Sequence, residues 1–153
     1  MKTLLMLLLM ALSISAYTQE LVATSVSIGK PGEIHIRVGD LRNSMGHVVA
    51  LLFNKQQGYP DASDLALHKL SVTIQNKTAH LQFSNLLAGK YVVSLFHDED
   101  NNGKLNRNGF GAPAEGVGVS NNIPGNFGPS DYKKCQIEVI YGKTEIVIAM
   151  KYF

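Results

Sequence analysis

The sequence predicts an all-β fold, a single antiparallel β-sandwich of about seven short strands with one long ordered loop. Three observations lead there. Apolar residues recur with a period of two along most of the chain, the signature of half-buried strands. Turn-forming clusters interrupt that pattern every eight to twelve residues or so. Convincing helical periodicity is almost absent.

The chain has 153 residues, of which 45% are hydrophobic. That is enough apolar material to bury a core, and it argues against disorder. Residues 1–18 are set apart from the fold as a secretory signal peptide. Lys2 supplies the positive start, Leu4 through Leu12 the apolar run, and Ser13, Ser15, Ala16 and Thr18 the small or polar residues around a cleavage site. As a membrane anchor, the competing reading, the run is short for a bilayer. Residues 19–153 then form one domain, exported to the periplasm or beyond a bacterial cell, with no membrane span after cleavage. Loss of Lys2 leaves 13 basic against 12 acidic side chains. So balanced a chain has no electrostatic case for binding nucleic acid. Cys135 is the only cysteine, which excludes an internal disulfide and leaves stability to packing.

The elements follow in order. Leu21 to Ile28 is a first strand with soft alternation, and Lys30-Pro31-Gly32 a turn. Ile34, Ile36 and Val38 then face one way, with Glu33, His35 and Arg37 facing the other. Apart from its first residue, His47 to Phe53 is continuously apolar, as in a central strand covered on both faces. Asp61 to His68 is a candidate short helix. Leu70, Val72 and Ile74 and then Ala79, Leu81 and Phe83 alternate on either side of Asn76-Lys77, which reads as a hairpin. Tyr91 opens the next strand after a Gly89 corner. It is either a tyrosine whose hydroxyl ties back to backbone or a plain half-buried aromatic. Cys135, Ile137 and Val139 share the core face of a late strand, with Cys135 a buried, inert thiol. Ile146, Ile148, Met150 and Tyr152 line the last strand.

Between His97 and Cys135 the chain makes an excursion far longer than the roughly 15 residues that structureless connections usually span. It carries Leu105, Phe110, Val117, Val119, Ile123 and Phe127, and is rich in glycine. Something must organise it. Its opening, Asp98-Glu99-Asp100-Asn101-Asn102-Gly103, has the spacing of a calcium loop. Asp98, Asp100 and Asn102 can turn alternate oxygens toward one centre, and Gly103 permits the sharp bend. The Lys104 carbonyl follows as a ligand, Asn106 contributes directly or through water, and Leu105 is the apolar anchor. Gly109 stands where a closing bidentate acid is expected, so Glu115 is the candidate to complete the shell, with Asn108 as a substitute. The cofactor this implies is Ca²⁺. A metal-free network of Asx-turns and a different metal are the competing readings. Strand alternation points His97 away from Asp98, as a packed histidine rather than a ligand.

Several blocks resemble a bacterial family of exported proteins, the domain of unknown function numbered 2141. They are Leu87-Ala88-Gly89-Lys90-Tyr91, Phe96 through Leu105, Gly111 through Gly116, Val119 through Asn122, and Phe127-Gly128-Pro129. The resemblance implies a small secreted or periplasmic protein with a prealbumin-like or immunoglobulin-like sandwich, and no particular activity. Two positions depart from its usual wording. Asn106 stands where an aspartate is common, which removes a possible carboxylate ligand, and Asp131-Tyr132 replaces a Phe-Glu step.

Function is narrowed but not named. The leading expectation is a non-catalytic exported module whose loop presents a binding surface to an unknown protein, glycan or small molecule. A metal-assisted hydrolase using His97, Asp98, Asp100 and Glu115 is one alternative. A structural subunit of an envelope assembly, pairing through an exposed edge such as Leu21 to Ile28, is the other.

Overall fold

A computed structural model describes residues 30–125 and 128–153. The signal segment, the Leu21 to Ile28 strand and Phe127 therefore lie outside the described residues. The elements are β1 (Gly32–Gly39), β2 (His47–Phe53), β3 (His68–Thr73), β4 (Ala79–Leu86), β5 (Gly89–Asp98), β6 (Val117–Val119), a 3-10 turn (Ser120–Asn122), β7 (Ile137–Val139) and β8 (Gly142–Ala149). They form two packed sheets. One runs β4-β1-β8; the other runs β3-β2-β5-β6, with β7 also pairing β5. Among the described residues no helix is long and apolar enough to cross a membrane.

The core follows from the strand pattern. Ile34, Ile36 and Val38 of β1 lie opposite Phe83, Leu81 and Ala79 of β4. Together they pack against Val48, Ala50 and Leu52 of β2 and Val93 and Leu95 of β5, all at most 5% exposed. β2 and β5 are covered on both faces, as the continuous apolar run predicts. The other faces of these strands, carrying Val49, Leu51, Phe53, Val92 and Phe96, form a second cluster with Tyr132 and Cys135. Burying each such side chain is worth about 1.5–3 kcal/mol, so this outer face cannot be left to water. The β2–β3 connection and the long excursion cover it, through Tyr59 and Ala66 from the first and Leu105, Val117, Val119 and Ile123 from the second.

Four expectations are revised. The Asn76-Lys77 turn is tight, with Gln75 and Thr78 exchanging two backbone hydrogen bonds of 2.9 Å. It does not make a hairpin, because β3 pairs with β2 and β4 crosses to pair with β1 in the other sheet. Local turn chemistry is the same in both cases; burial of Ala79, Leu81 and Phe83 against β1 decides the outcome. The candidate helix at Asp61 to His68 is a series of turns leading into β3. One ladder, β1 with β8, runs parallel while the others are antiparallel. Finally, Cys135 precedes β7 and lies in the outer cluster, whereas Ile137 and Val139 belong to the inter-sheet core.

Tyr91 does tie back to backbone, its hydroxyl donating to the Leu87 carbonyl at 2.8 Å. A second set of ties comes from Ser120-Asn121-Asn122. The buried Ser120 hydroxyl donates to the Cys135 carbonyl at 2.5 Å and accepts from the Val93 amide at 3.1 Å. Asn121 donates to the Lys134 and Gln136 carbonyls, while Asn122 bonds both Val147 O and Ala149 N on the edge of β8. Three consecutive polar side chains thus join β5, β8 and the return of the excursion.

Two outcomes are expected. Ser120→Ala orphans a buried donor and a buried acceptor and should cost about 1–3 kcal/mol in a urea melt, against no measurable loss for exposed Ser84→Ala. Cys135 is fully buried and burial pushes its thiol pKa up, so a thiol-specific chromogenic disulfide should label it only after denaturant is added.

Candidate metal centre

Asp98 is the last residue of β5 and lies opposite His47 at the start of β2. The alternation that places Phe96 on the outer face puts Asp98 there too, at 3% exposure. Its two carboxylate oxygens accept from the backbone amides of Asn102 (3.0 Å) and Gly103 (2.9 Å), which bends 98–103 into a compact turn. Gly103 has φ +75°, the left-handed conformation its sequence position predicts. The turn is pressed against the β1–β2 connection at Gly46. A Cβ there would come within 1.9 Å of the Asp98 carbonyl oxygen, so only glycine fits.

The alternate Asp and Asn residues have a local role as well. Asp100 Oδ1 accepts from the Asn102 amide at 3.2 Å, and Asn102 Oδ1 from the Lys104 amide at 2.8 Å, each an Asx-turn two residues long. Glu115 arrives from the far end of the excursion and is 4% exposed. Its oxygens accept from the Glu99 amide at 3.0 Å and the Asn106 amide at 2.9 Å, clasping both ends of the loop.

Asp98, Asp100 and Glu115 therefore converge, each offering a carboxylate oxygen, and these oxygens all lie within 4.8 Å of one another. Two of the three groups are buried. Among the described residues none of the three forms an ion pair with a lysine, arginine or histidine; the salt bridges lie elsewhere. Backbone amides are their main hydrogen-bond partners. Buried carboxylates are ordinarily paired or bound to metal, so the cluster is chemically suited to a hard cation.

Of the remaining sequence candidates, Asn102 and Asn106 lie against it. The side-chain nitrogens of Asn102 and Asn106 both donate to Asp100 Oδ2 at 2.9 Å, and Asn106 holds the Asp100 carboxyl below its ordinary range. Lys104 is exposed, with its amide engaged by Asn102. Asn108 serves a different purpose. It accepts from the Phe110 and Ala112 amides and caps a small hairpin, in which Arg107 bridges to Pro113. Leu105 packs on the outer cluster, as an anchor should.

His97 is fully buried on the opposite face. Its Nε2 bonds the Met45 carbonyl at 2.8 Å and its Nδ1 the Tyr152 hydroxyl at 2.7 Å, with Glu99 Oε1 3.5 Å from Nδ1, so both nitrogens are used away from Asp98, Asp100 and Glu115. A hydrolytic site needing His97 beside Asp98, Asp100 and Glu115 has no support in that geometry.

Sequence reasoning missed Glu99. It points away from the triad and binds Arg42 through both carboxylate oxygens, with Asn43 as a further donor at 2.9 Å. Arg42 also stacks over the Tyr152 ring, 4.7 Å from its centroid. The only available signal was alternation, which sets Glu99 apart from Asp98 and Asp100; its partner lies 57 positions away.

Comparison with known proteins adds one finding. The profile of a family described as uncharacterized protein conserved in bacteria (DUF2141) matches residues 36–147. Searches of curated proteins and of solved structures return no match.

The Arg42 hydrogen bonds hold the Glu99 carboxyl below its ordinary value of 4.5. A carboxyl depressed in the folded state contributes stability above its unfolded pKa, and that contribution is lost as pH falls through the folded value. Between about pH 6 and about pH 3 the wild-type Tm should therefore fall further than that of Glu99→Gln, measured by circular dichroism.

Proposed function

This chain belongs to the DUF2141 family of uncharacterized bacterial proteins, and on that footing we propose that it is an exported, non-catalytic binding module whose excursion is ordered by calcium. The observation that carries the reading is the meeting of Asp98, Asp100 and Glu115 oxygens within 4.8 Å, two of the groups buried and none with a side-chain counter-ion among the described residues. Oxygen-only donors with flexible spacing favour calcium over zinc or copper. Asn102 and Asn106 would join the shell by turning their side-chain amides over, so that oxygens replace the nitrogens now facing Asp100. The Lys104 carbonyl is the remaining protein ligand in this proposal.

Calcium would act here as a structural tie. Glu115 already links the two ends of the loop, and an ion shared with Asp98 would join β5 to the segment that leads into β6. Three carboxylates, only two of them close in sequence, suggest weak affinity, on the order of 10⁻⁴–10⁻³ M as in extracellular modules. Export rests on the signal-like residues 1–18, and the binding role on a long ordered loop carried by a rigid sandwich.

Calcium at about 10 mM should raise Tm by roughly 3–10 °C relative to chelator, with a smaller effect from magnesium. Asp98→Asn keeps one of the two backbone acceptors, and Asp100→Asn, at an exposed position, leaves the buried acids intact; each should abolish the rise. Equal melting of the wild type in calcium and chelator removes the cation from the reading.

A further inference from the structure

Among the described residues the cover over the outer face of the β2–β5 sheet is not continuous. Tyr59-Pro60-Asp61 forms one bank and the 105–113 hairpin the other, joined by the ion pair of Arg107 with Asp61. Beneath them lies a cavity of about 540 Å³ floored by β5 and β6. That volume is in the range of small-molecule sites, roughly 300–1,000 Å³.

The floor contains one residue that packing does not explain. Ser94 interrupts the apolar outer face of β5 between Val92 and Phe96, opposite Val119. It is 7% exposed and lines the cavity, and its hydroxyl has no hydrogen bond among the described residues. The buried side-chain polar atom without a partner among the described residues is the Tyr132 hydroxyl and not Ser94 Oγ, so the Ser94 oxygen opens into the cavity as a polar atom on an otherwise apolar floor. The rim has the opposite anomaly. Phe110, at the tip of the hairpin, is wholly exposed, and Phe153 nearly so. Aromatic side chains on a cavity mouth are left in water unless something covers them.

We propose that this cavity binds a small, neutral hydroxyaromatic compound. Its hydroxyl exchanges a hydrogen bond with Ser94 Oγ, and its ring system lies against Phe96, Leu105 and Val119 under Phe110. Neutrality follows from the state of the two cations on the lining: the Arg107 guanidinium is already engaged by Asp61 and the Gly111 carbonyl, and Lys151 is solvent-exposed at the edge. A peptide fits less well. The β6 backbone is used in its ladder with β5 and in two 2.8 Å hydrogen bonds between Val117 and Lys151, leaving few main-chain partners for an added strand. The proposal deepens the binding reading above, since the same excursion supplies one wall, but it does not require the cation.

The test titrates the whole protein with α-naphthol and with naphthalene, in calcium and in chelator. Naphthyl fluorescence is followed, which no tryptophan obscures because the chain has none. One-site saturable binding is expected, with α-naphthol favoured by about fivefold. Ser94→Ala should bind the two equally. Phe110→Ser, at an exposed position where folding is not at stake, should weaken both. Absence of saturable binding, or a naphthol preference unchanged in Ser94→Ala, overturns the proposal. Ser94-dependent binding in chelator, beside a melt indifferent to calcium, upholds the cavity and removes only the ion.

Discussion

β2 and β5 carry apolar side chains on both faces, and that requirement for two-sided burial governs most of what surrounds them. The β4-β1-β8 sheet covers one face in the ordinary manner of a sandwich. The other has no second sheet to meet. Loops must cover it, and loops carry backbone amides and carbonyls that need partners. The excursion meets both demands at once. It contributes Leu105, Val117, Val119 and Ile123 to the outer cluster, and it satisfies much of its own backbone through side-chain acceptors and the short β6 ladder.

Polar residues in the excursion are thus structural before they are anything else. Asp98 and Glu115 accept from four backbone amides between them. Ser120, Asn121 and Asn122 do comparable work at the other end, where β5, β8 and the returning chain come together. The carboxylate cluster is a consequence of the first arrangement, because backbone donors at the loop ends draw three acids to one place. Amide hydrogen bonds ease the burial of charge, and among the described residues no side-chain cation compensates it. Such a cluster could hold a metal ion.

Behind the loop, a second network fixes its other side. Arg42 and Asn43 hold Glu99, Arg42 lies on the Tyr152 ring, and Tyr152 bonds His97. The C-terminal segment, the β1–β2 connection and the end of β5 meet there. His97 consequently acts as a packing and hydrogen-bonding residue, and the acids of the triad face the opposite side of the same strand.

The positions of β1 to β5, the two-faced burial of His47 to Phe53, the inward residues of β1, β4 and β8, and the gathering potential of Asp98, Asp100 and Glu115 could be read from the order of residues, whereas β6 lay hidden in the excursion. Each but Glu115, which comes from the far end of the excursion, depends on local periodicity or on a short spacing. Partner choice could not. Asn76-Lys77 makes the same tight turn whether β4 returns beside β3 or crosses to β1, and only burial against Ile34, Ile36 and Val38 selects the crossing. The parallel alignment of β1 with β8, the placement of Cys135 outside the inter-sheet core, the Arg42–Glu99 pair and the cavity above Ser94 are likewise products of packing. They join residues many positions apart, and no local preference in a linear chain encodes which distant surface is left needing cover.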